Sequence, residues 1–278
     1  MPLGLAAGTL IGAYLAWWID WRAAFIVMGI AGVLLAPVLL LAVRDKPRPV
    51  ARAADRQLRL RSTFAILAGK PSFWLMAFAA SCSSLAGYGL ALWTPTVLER
   101  SFGFDIITRA QFLASIFLIG GTAGVLAGGW LADRLGHADR AWYARLPTIA
   151  WLISAPMFAL GLLATDPWLV WPLLLIPNAL NILWLGPVTT AVQHLVPQPL
   201  RATASASFLL INNLIGLGAG PTLIGMLSEL FKARFGDEAL RYAAVSVVGF
   251  YLVAAALMAF AAKHLAADWV SEGDSSTP

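Results

Sequence analysis

Eight stretches of this chain carry no charged side chain: residues 1–19, 23–43, 71–98, 110–132, 146–165, 167–200, 202–228 and 242–262. A bilayer's hydrocarbon layer is about 30 Å thick and an α-helix rises about 1.5 Å per residue, so about 20 apolar residues cross it. Every stretch reaches that length, which buried helices of water-soluble proteins seldom do. Lipid offers no partner to backbone N–H and C=O groups, so a spanning segment must be a helix or a strand of a closed barrel. Barrel strands would be short and alternating. The expectation is therefore an all-α membrane protein with eight transmembrane helices. Composition agrees, with 60% hydrophobic and 12% charged residues against roughly 45–50% and 25% in soluble domains. The first stretch does not read as a signal peptide, because it lacks a basic n-region and a cleavage site and seven similar stretches follow it.

Orientation follows from lysine and arginine. The segment 44–70 carries eight basic and two acidic residues, which assigns it to the cytoplasmic side. Alternate threading then puts Arg134, Arg140, Arg145, Arg201 and Lys263 on that side too, for 13 of the 19 basic residues. Both termini are expected inside, in a cell inner (plasma) membrane. The net charge of +5 reads as orientation and contact with anionic lipid of the bilayer, not as nucleic-acid binding. The single cysteine, Cys82, excludes an intrachain disulfide.

"GGWLADRLG", residues 128–136, sets charges directly against an apolar run. It can be an ordinary interhelical turn, with Gly136 suited to turning the chain. Yet Gly129, Asp133, Arg134, Gly136 and Arg140 also form G-x-x-x-D-R-x-G-x-x-x-R, which resembles motif A of the major facilitator superfamily of transporters. The resemblance implies a cytoplasmic gate, in which Asp133 meets the positive N-terminal end of a neighbouring helix and Arg134 and Arg140 pair with acids. His137 and Ala138 stand where the family often has basic residues.

Residues 17–48 look like the turn between helices five and six and the start of the central linker in the same superfamily. Residues 200–229 and 236–243 resemble its spinster-like branch, which exports lipids and related amphiphiles. On this resemblance the eight helices correspond to helices five to twelve of a major facilitator fold, and the first four are expected to be missing through truncation or a misplaced start at Met1. The organisation expected is residues 1–43 as the last two helices of the N-terminal half, 44–70 as a basic cytoplasmic linker, 71–264 as the C-terminal six-helix half and 265–278 as a cytoplasmic tail, polar and disordered from Asp268 onward.

Glycines at 4, 8 and 12 and at 120, 124 and 128 make two small-residue ridges along which backbones can approach. Gly186 with Pro187 and Gly220 with Pro221 are expected to bend or loosen their helices, since proline removes the bond to the carbonyl four residues earlier; Pro172 and Pro177 add two more sites of that kind. Such bends serve rocking motions and border binding cavities in transporters.

Polar residues inside spans turn inward, because lipid-facing positions penalise them. Ser81, Ser84 and Tyr88 share one face, with Trp93 above; Asn178, Asn181, Thr189 and Gln193 line a second stripe; Asn212 and Asn213 mark a third helix. Each stripe is either interhelical glue, worth about 0.6 kcal/mol per hydrogen bond, or the wall of a mostly apolar substrate cavity with a few polar anchors. Ser84, Tyr88, Trp93, Asn178, Asn181, Asn212 and Asn213 are the cavity candidates. "GLGAGP" at 216–221 lies in a span and not between a strand and a soluble helix, so it is no nucleotide motif. The sequence carries no catalytic constellation, no metal-ligand cluster and no sign of a cofactor, and His137 and His194 read as interfacial residues.

No span contains Asp, Glu, Lys or Arg, so the residues that couple transport to an ion are not expected here. Two functional classes remain. One is a secondary transporter of an organic, amphiphilic or lipid-like small molecule, working by alternating access; the other is a non-transporting membrane protein or binding scaffold. The sequence sets no oligomeric state.

Overall fold

In the computed structural model the chain is described at residues 2–42 and 53–270, with side chains throughout except at 53–59. Met1, Val43, residues 44–52 of the expected linker and the tail from 271 lie outside the described residues. Among the described residues every regular element is helical: α1 (Pro2–Trp18), α2 (Trp21–Ala42), α3 (Ala53–Ala68), α4 (Pro71–Phe102), α5 (Ile106–Ser115), a π-helical segment (Ile116–Gly121), α6 (Thr122–Gly136), α7 (Trp142–Leu163), α8 (Pro167–Ile182), α9 (Leu185–Gln193), α10 (Arg201–Phe235) and α11 (Ala239–Asp268).

The breaks between helices follow from residues that end apolar runs. Asp20, Asp105 and Asp166 each accept from a backbone N–H of the following helix, at Ala23 (2.7 Å), Thr108 (3.0 Å) and Trp168 (3.0 Å), the bonding that favours aspartate at helix starts. Pro71 and Pro167 occupy first turns, where a missing N–H costs nothing. Gly103 (φ +65°) and Gly236 (φ +54°) terminate α4 and α10 in conformations that only glycine adopts easily. Asp105→Ala is therefore expected to lower the melting temperature. The hydrogen bonds from Thr108, its side chain first, hold the Asp105 carboxyl below the usual carboxylate range. Its contribution is present above the unfolded value of about 3.9 and is lost as pH falls through the folded one. Thermal unfolding followed by circular dichroism, titrated toward acid in parent and variant, checks both: the parent should lose stability toward the variant's level as Asp105 protonates.

Among the described residues six stretches are long and apolar enough to cross a membrane: Trp21–Ala42, Pro71–Phe102, Ile106–Gly136, Trp142–Leu163, Pro167–Gln193 and Gln198–Asp268. The last contains both α10 and α11, joined through a short 3₁₀ turn, Gly236–Glu238, and α1 is a shorter helix of 17 residues.

The core sits where α4 packs against α10 and α11, and α7 against α11 and α8. Trp151, Tyr251, Phe73 and Phe208 are its largest fully buried side chains. Two glycine seams set the closest approaches. Side chains added at Gly120, Gly124 and Gly128 would strike the carbonyls of Leu175, Ala179 and Leu183, so α5–α6 lies with its backbone directly on α8. Gly216 and Gly220 meet Ser84 and the Leu85 carbonyl in the same manner, and Gly89 meets Ile224 and Gly220 from the other side.

Gly4, Gly8 and Gly12 have nothing within 4 Å. The expected close approach along that ridge is not made by any described residue, because α1 uses another face. Pro2 lies against Gly121, Ala6 is buried and Tyr14 accepts from Gln111 Nε2 at 2.9 Å. Further differences from the sequence expectation concern boundaries. The 110–132 run contains the π-helical segment, and α6 runs on to Gly136. Part of the linker is helical, with Thr63 and Leu67 of α3 fully buried. Asp268, Trp269 and Val270, expected in a disordered tail, are ordered against the bundle. Gly136 does not have a positive φ; glycine is needed there because the Tyr143 ring would stand 2.5 Å from a Cβ.

Candidate functional site

The polar stripes of α4 and of α10 meet each other. Ser84 Oγ donates to Asn212 Oδ1 at 2.8 Å, with both side chains buried. One turn further along α4, Tyr88 OH donates to Asn213 Oδ1 at 3.0 Å, where Asn213 is exposed. Trp93 Nε1 then donates to the Pro221 carbonyl at 2.9 Å. These three bonds form one seam between α4 and α10, possible because Gly216 and Gly220 bring the two backbones together. The seam passes from buried at Ser84 to open at Asn213, so one edge of it can meet a solute while the other holds the helices. Ser81 lies off this seam and bonds its own helix at the Ala77 carbonyl.

Asn178 and Asn181 of α8 line a cavity inside the bundle instead, with Gly87, Thr94 and Tyr251 among its other walls. It offers about 40 Å³ to the centres of water-sized molecules, room for roughly three of them. Asn181 Oδ1 accepts from Ser83 Oγ at 3.0 Å. Thr189 bonds back to its own helix at Leu185 and Gly186, and Gln193 is exposed. Sequence reasoning missed Ser83, Gly87 and Tyr251: a serine beside another serine and a tyrosine within a long apolar run carried no periodic signal.

The helix carrying Gly186 and Pro187 is interrupted at Leu183–Trp184, where α8 ends and α9 begins. Pro187 supplies no N–H for the Leu183 carbonyl, and that carbonyl faces Gly128 across the seam. α10, in contrast, runs unbroken through Gly220–Pro221, held on both sides by its contact with α4.

At the end of the bundle that carries residue 70, Asp133 is exposed and makes no hydrogen bond or ion pair among the described residues. Arg134 lies over the Trp130 ring (5.5 Å) and Arg140 over the Trp269 ring (5.1 Å). Among the described residues neither pairs with an acid; the carboxylate of Asp139 is taken by Arg145 at 2.7 Å and by the Ala141 N–H at 2.9 Å. A Cβ on Gly186 would stand 3.8 Å from Gly129 Cα, whereas one on Gly129 would meet nothing within 4 Å. α1 begins level with Gly121 and so does not reach Asp133. The same end is tied together around Trp269, which stacks on His194 (4.5 Å, 10°) and packs against Tyr143 (5.4 Å). His137 is exposed. Among the described residues no group of His, Cys, Asp and Glu is placed to hold a metal.

A bundle of long apolar helices seamed by backbone contacts, with polar side chains inside and arginine-bearing turns at one end, is the build of a protein that crosses the membrane several times. The chain belongs to the Major Facilitator Superfamily, whose sequence pattern matches residues 1–221. It is homologous to spinster-like proteins. It is 33% identical to an MFS-type efflux pump of Mycolicibacterium smegmatis over 89% of this chain and 57% of that protein. To protein spinster homolog 1 of Xenopus tropicalis it is 27% identical, over 82% of this chain and 47% of the relative. The chain thus spans about half the length of the curated relatives it matches. The fold matches a crystal structure of a bacterial homolog to the human lysosomal transporter Spinster, in an inward-facing and unoccupied conformation (TM-score 0.78, 24% identity, 96% of this chain and 68% of that one). The occupied conformation of such a homolog matches with a TM-score of 0.72, at 25% identity and 96% and 67% coverage.

Proposed function

We propose that this chain forms the solute-handling part of a secondary transporter that works by alternating access on an organic, amphiphilic or lipid-like solute. The observation that carries this reading is the α4–α10 seam, whose Tyr88–Asn213 end is open while Ser84–Asn212 is closed. A seam serving only as glue would gain most from being buried along its whole length. On this reading eight helices span the membrane and correspond to helices five to twelve of the superfamily fold, with 1–43 belonging to one half, 44–70 linking, 71–264 forming the other half and 265–278 following it. Both termini face the cytoplasm across an inner (plasma) membrane. Gly129, Asp133, Arg134, Gly136 and Arg140 form the cytoplasmic gate, Gly186 and Pro187 with Gly220 and Pro221 set the helix geometry, and Ser84, Tyr88, Trp93, Asn178, Asn181, Asn212 and Asn213 bear on the solute. The arginines resting on Trp130 and Trp269 are then held in readiness for acids that approach when the gate closes.

Because the eight uncharged runs, read as the membrane-crossing parts of the helices, hold no Asp, Glu, Lys or Arg, the chain alone should move solute only downhill. In proteoliposomes it should speed exchange of a fluorescent lysophospholipid between leaflets, and Asn212→Leu should slow that exchange about fivefold or more, as loss of one buried polar anchor implies. Exchange no faster than in protein-free vesicles would favour a scaffold, a second reading supported by α2, which buries none of its residues. Uphill accumulation under an ion gradient would contradict the absence of coupling.

A further inference from the structure

Tyr251 lies in α11, is completely buried, and its hydroxyl has no hydrogen-bond partner among the described residues. An unpaired buried hydroxyl is destabilising, and native proteins keep such groups where a ligand or water completes them. The ring cannot swing away to find a partner, since it is stacked on Phe158 at 5.5 Å and 13°. It borders the internal cavity that Asn178 and Asn181 also line. Asn181 Oδ1 is engaged by Ser83, which leaves its amide N–H groups to face the cavity. The two donors converge beside Gly87. A Cβ there would stand 3.0 Å from Asn181 Nδ2 and 3.5 Å from Tyr251 OH, so a side chain at position 87 would crowd both donors, and glycine leaves them uncovered toward the cavity that all three residues line.

We propose that Gly87, Asn181 and Tyr251 form a subsite that binds an uncharged oxygen acceptor, the hydroxyl, ether or ester oxygen of a neutral head group. The donors select an acceptor. No charged side chain lines the cavity among the described residues, and a carboxylate or phosphate brought there would be desolvated without a counter-charge. The cavity, with room for roughly three water-sized molecules, is of a size for one small polar group. The wall opposite is partly the π-helical segment, through Ile116 and Phe117; π-helical turns frequently mark functional sites. This inference rests on the transport reading for calling the occupant a solute, but its test does not use transport.

The purified full chain in maltoside micelles is melted with glycerol monooleate, with glycerol alone and with oleate. Glycerol monooleate should raise the melting temperature, as any ligand of the native state does, and oleate should not. A shift with glycerol alone would show that the group comes from free polyols in water; a shift only with the monooleate, that it comes from a lipid in the bilayer. Tyr251→Phe and Gly87→Ala should each weaken the binding about tenfold, the size expected for one lost hydrogen bond. Ser72→Ala, which removes another buried unpartnered hydroxyl far along α4, should leave it unchanged. Ligand-free Tyr251→Phe should melt at or above the parent temperature, because an unsatisfied group has been removed. The proposal is overturned if neither neutral probe shifts the melt, if oleate acts equally, if both cavity variants bind as the parent does, or if ligand-free Tyr251→Phe melts lower. Failure of lysophospholipid exchange with these binding results intact would remove the transport reading alone.

Discussion

Gly124→Val is expected to destabilise the bundle by roughly 3 kcal/mol or more, beyond the usual cost of overpacking a core. Even the first added carbon would overlap the Ala179 carbonyl, with Ile182 Cγ2 at 2.6 Å and the Ala179 carbonyl carbon at 2.8 Å. A side chain could rotate aside. A backbone carbonyl within a helix cannot, so α6 would have to lift off α8 and would break the parallel contacts of Gly120 and Gly128 as it did so. Gly129→Ala is the matched control, because nothing lies within 4 Å of its position and alanine is the better helix former by about 1 kcal/mol. Denaturant titration in micelles should show Gly124→Val strongly destabilised and Gly129→Ala equal to the parent or better. Equal stability of the two variants would mean that α6 and α8 do not touch as described.

Trp269→Ala should cost roughly 3 kcal/mol and loosen the end of the bundle that carries residue 70. A tryptophan buries about 150–250 Å², worth about 25 cal/mol per Å², and part of that is realised here against His194, Tyr143 and Arg140. The neighbours depend on the same anchor: Val270 N–H donates to the His194 carbonyl at 2.8 Å, Ser72 N–H to Asp268 Oδ2 at 3.0 Å, and Lys70 Nζ to the Asp268 carbonyl. Without Trp269 the last turn of α11 should fray and expose Lys70. Faster acylation of Lys70 by a water-soluble amine reagent, together with a lower melting temperature, is the expected pair of results; an unchanged Lys70 rate would show that the end is held by other contacts. Trp269→Phe, which keeps a ring against His194, should recover most of the loss.

The fold was legible wherever solvation decides. Charges cannot enter hydrocarbon, so the uncharged runs showed that the chain is built of apolar helices; the helix starts at Asp20, Asp105 and Asp166 emerge only from their cap bonds. What escaped was decided by packing between distant segments. The Gly120–Gly124–Gly128 ridge and the Gly4–Gly8–Gly12 ridge look alike as sequence, yet only the first meets a helix among the described residues, because Pro2, Ala6 and Tyr14 turn α1 onto another face. The π-helical segment left no mark, since Ile116–Gly121 has the composition of any apolar helix. Within the candidate site, helical spacing put Ser84 and Tyr88 on one face, but that Asn212 and Asn213 are their partners depends on where α10 lies. Arg134 and Arg140 were read from a motif that implies acid partners; aromatic rings are what the described residues offer them. Tyr251 stayed invisible because one hydroxyl in a long apolar run becomes chemistry only when Gly87 and Asn181 are placed beside it.

The most direct test of the central claim is the accessibility of position 213. A single-cysteine chain, Asn213→Cys with Cys82→Ser, is reconstituted into sealed vesicles of known orientation and treated with a membrane-impermeant maleimide from either side. If the open end of the α4–α10 seam lines a path that faces the two sides in turn, Asn213→Cys will react from both and will be protected by a lysophospholipid solute, while Leu214→Cys, one residue on and also exposed, will react from neither because it meets lipid. Reaction of Asn213→Cys from only one side, or from none, would contradict the account.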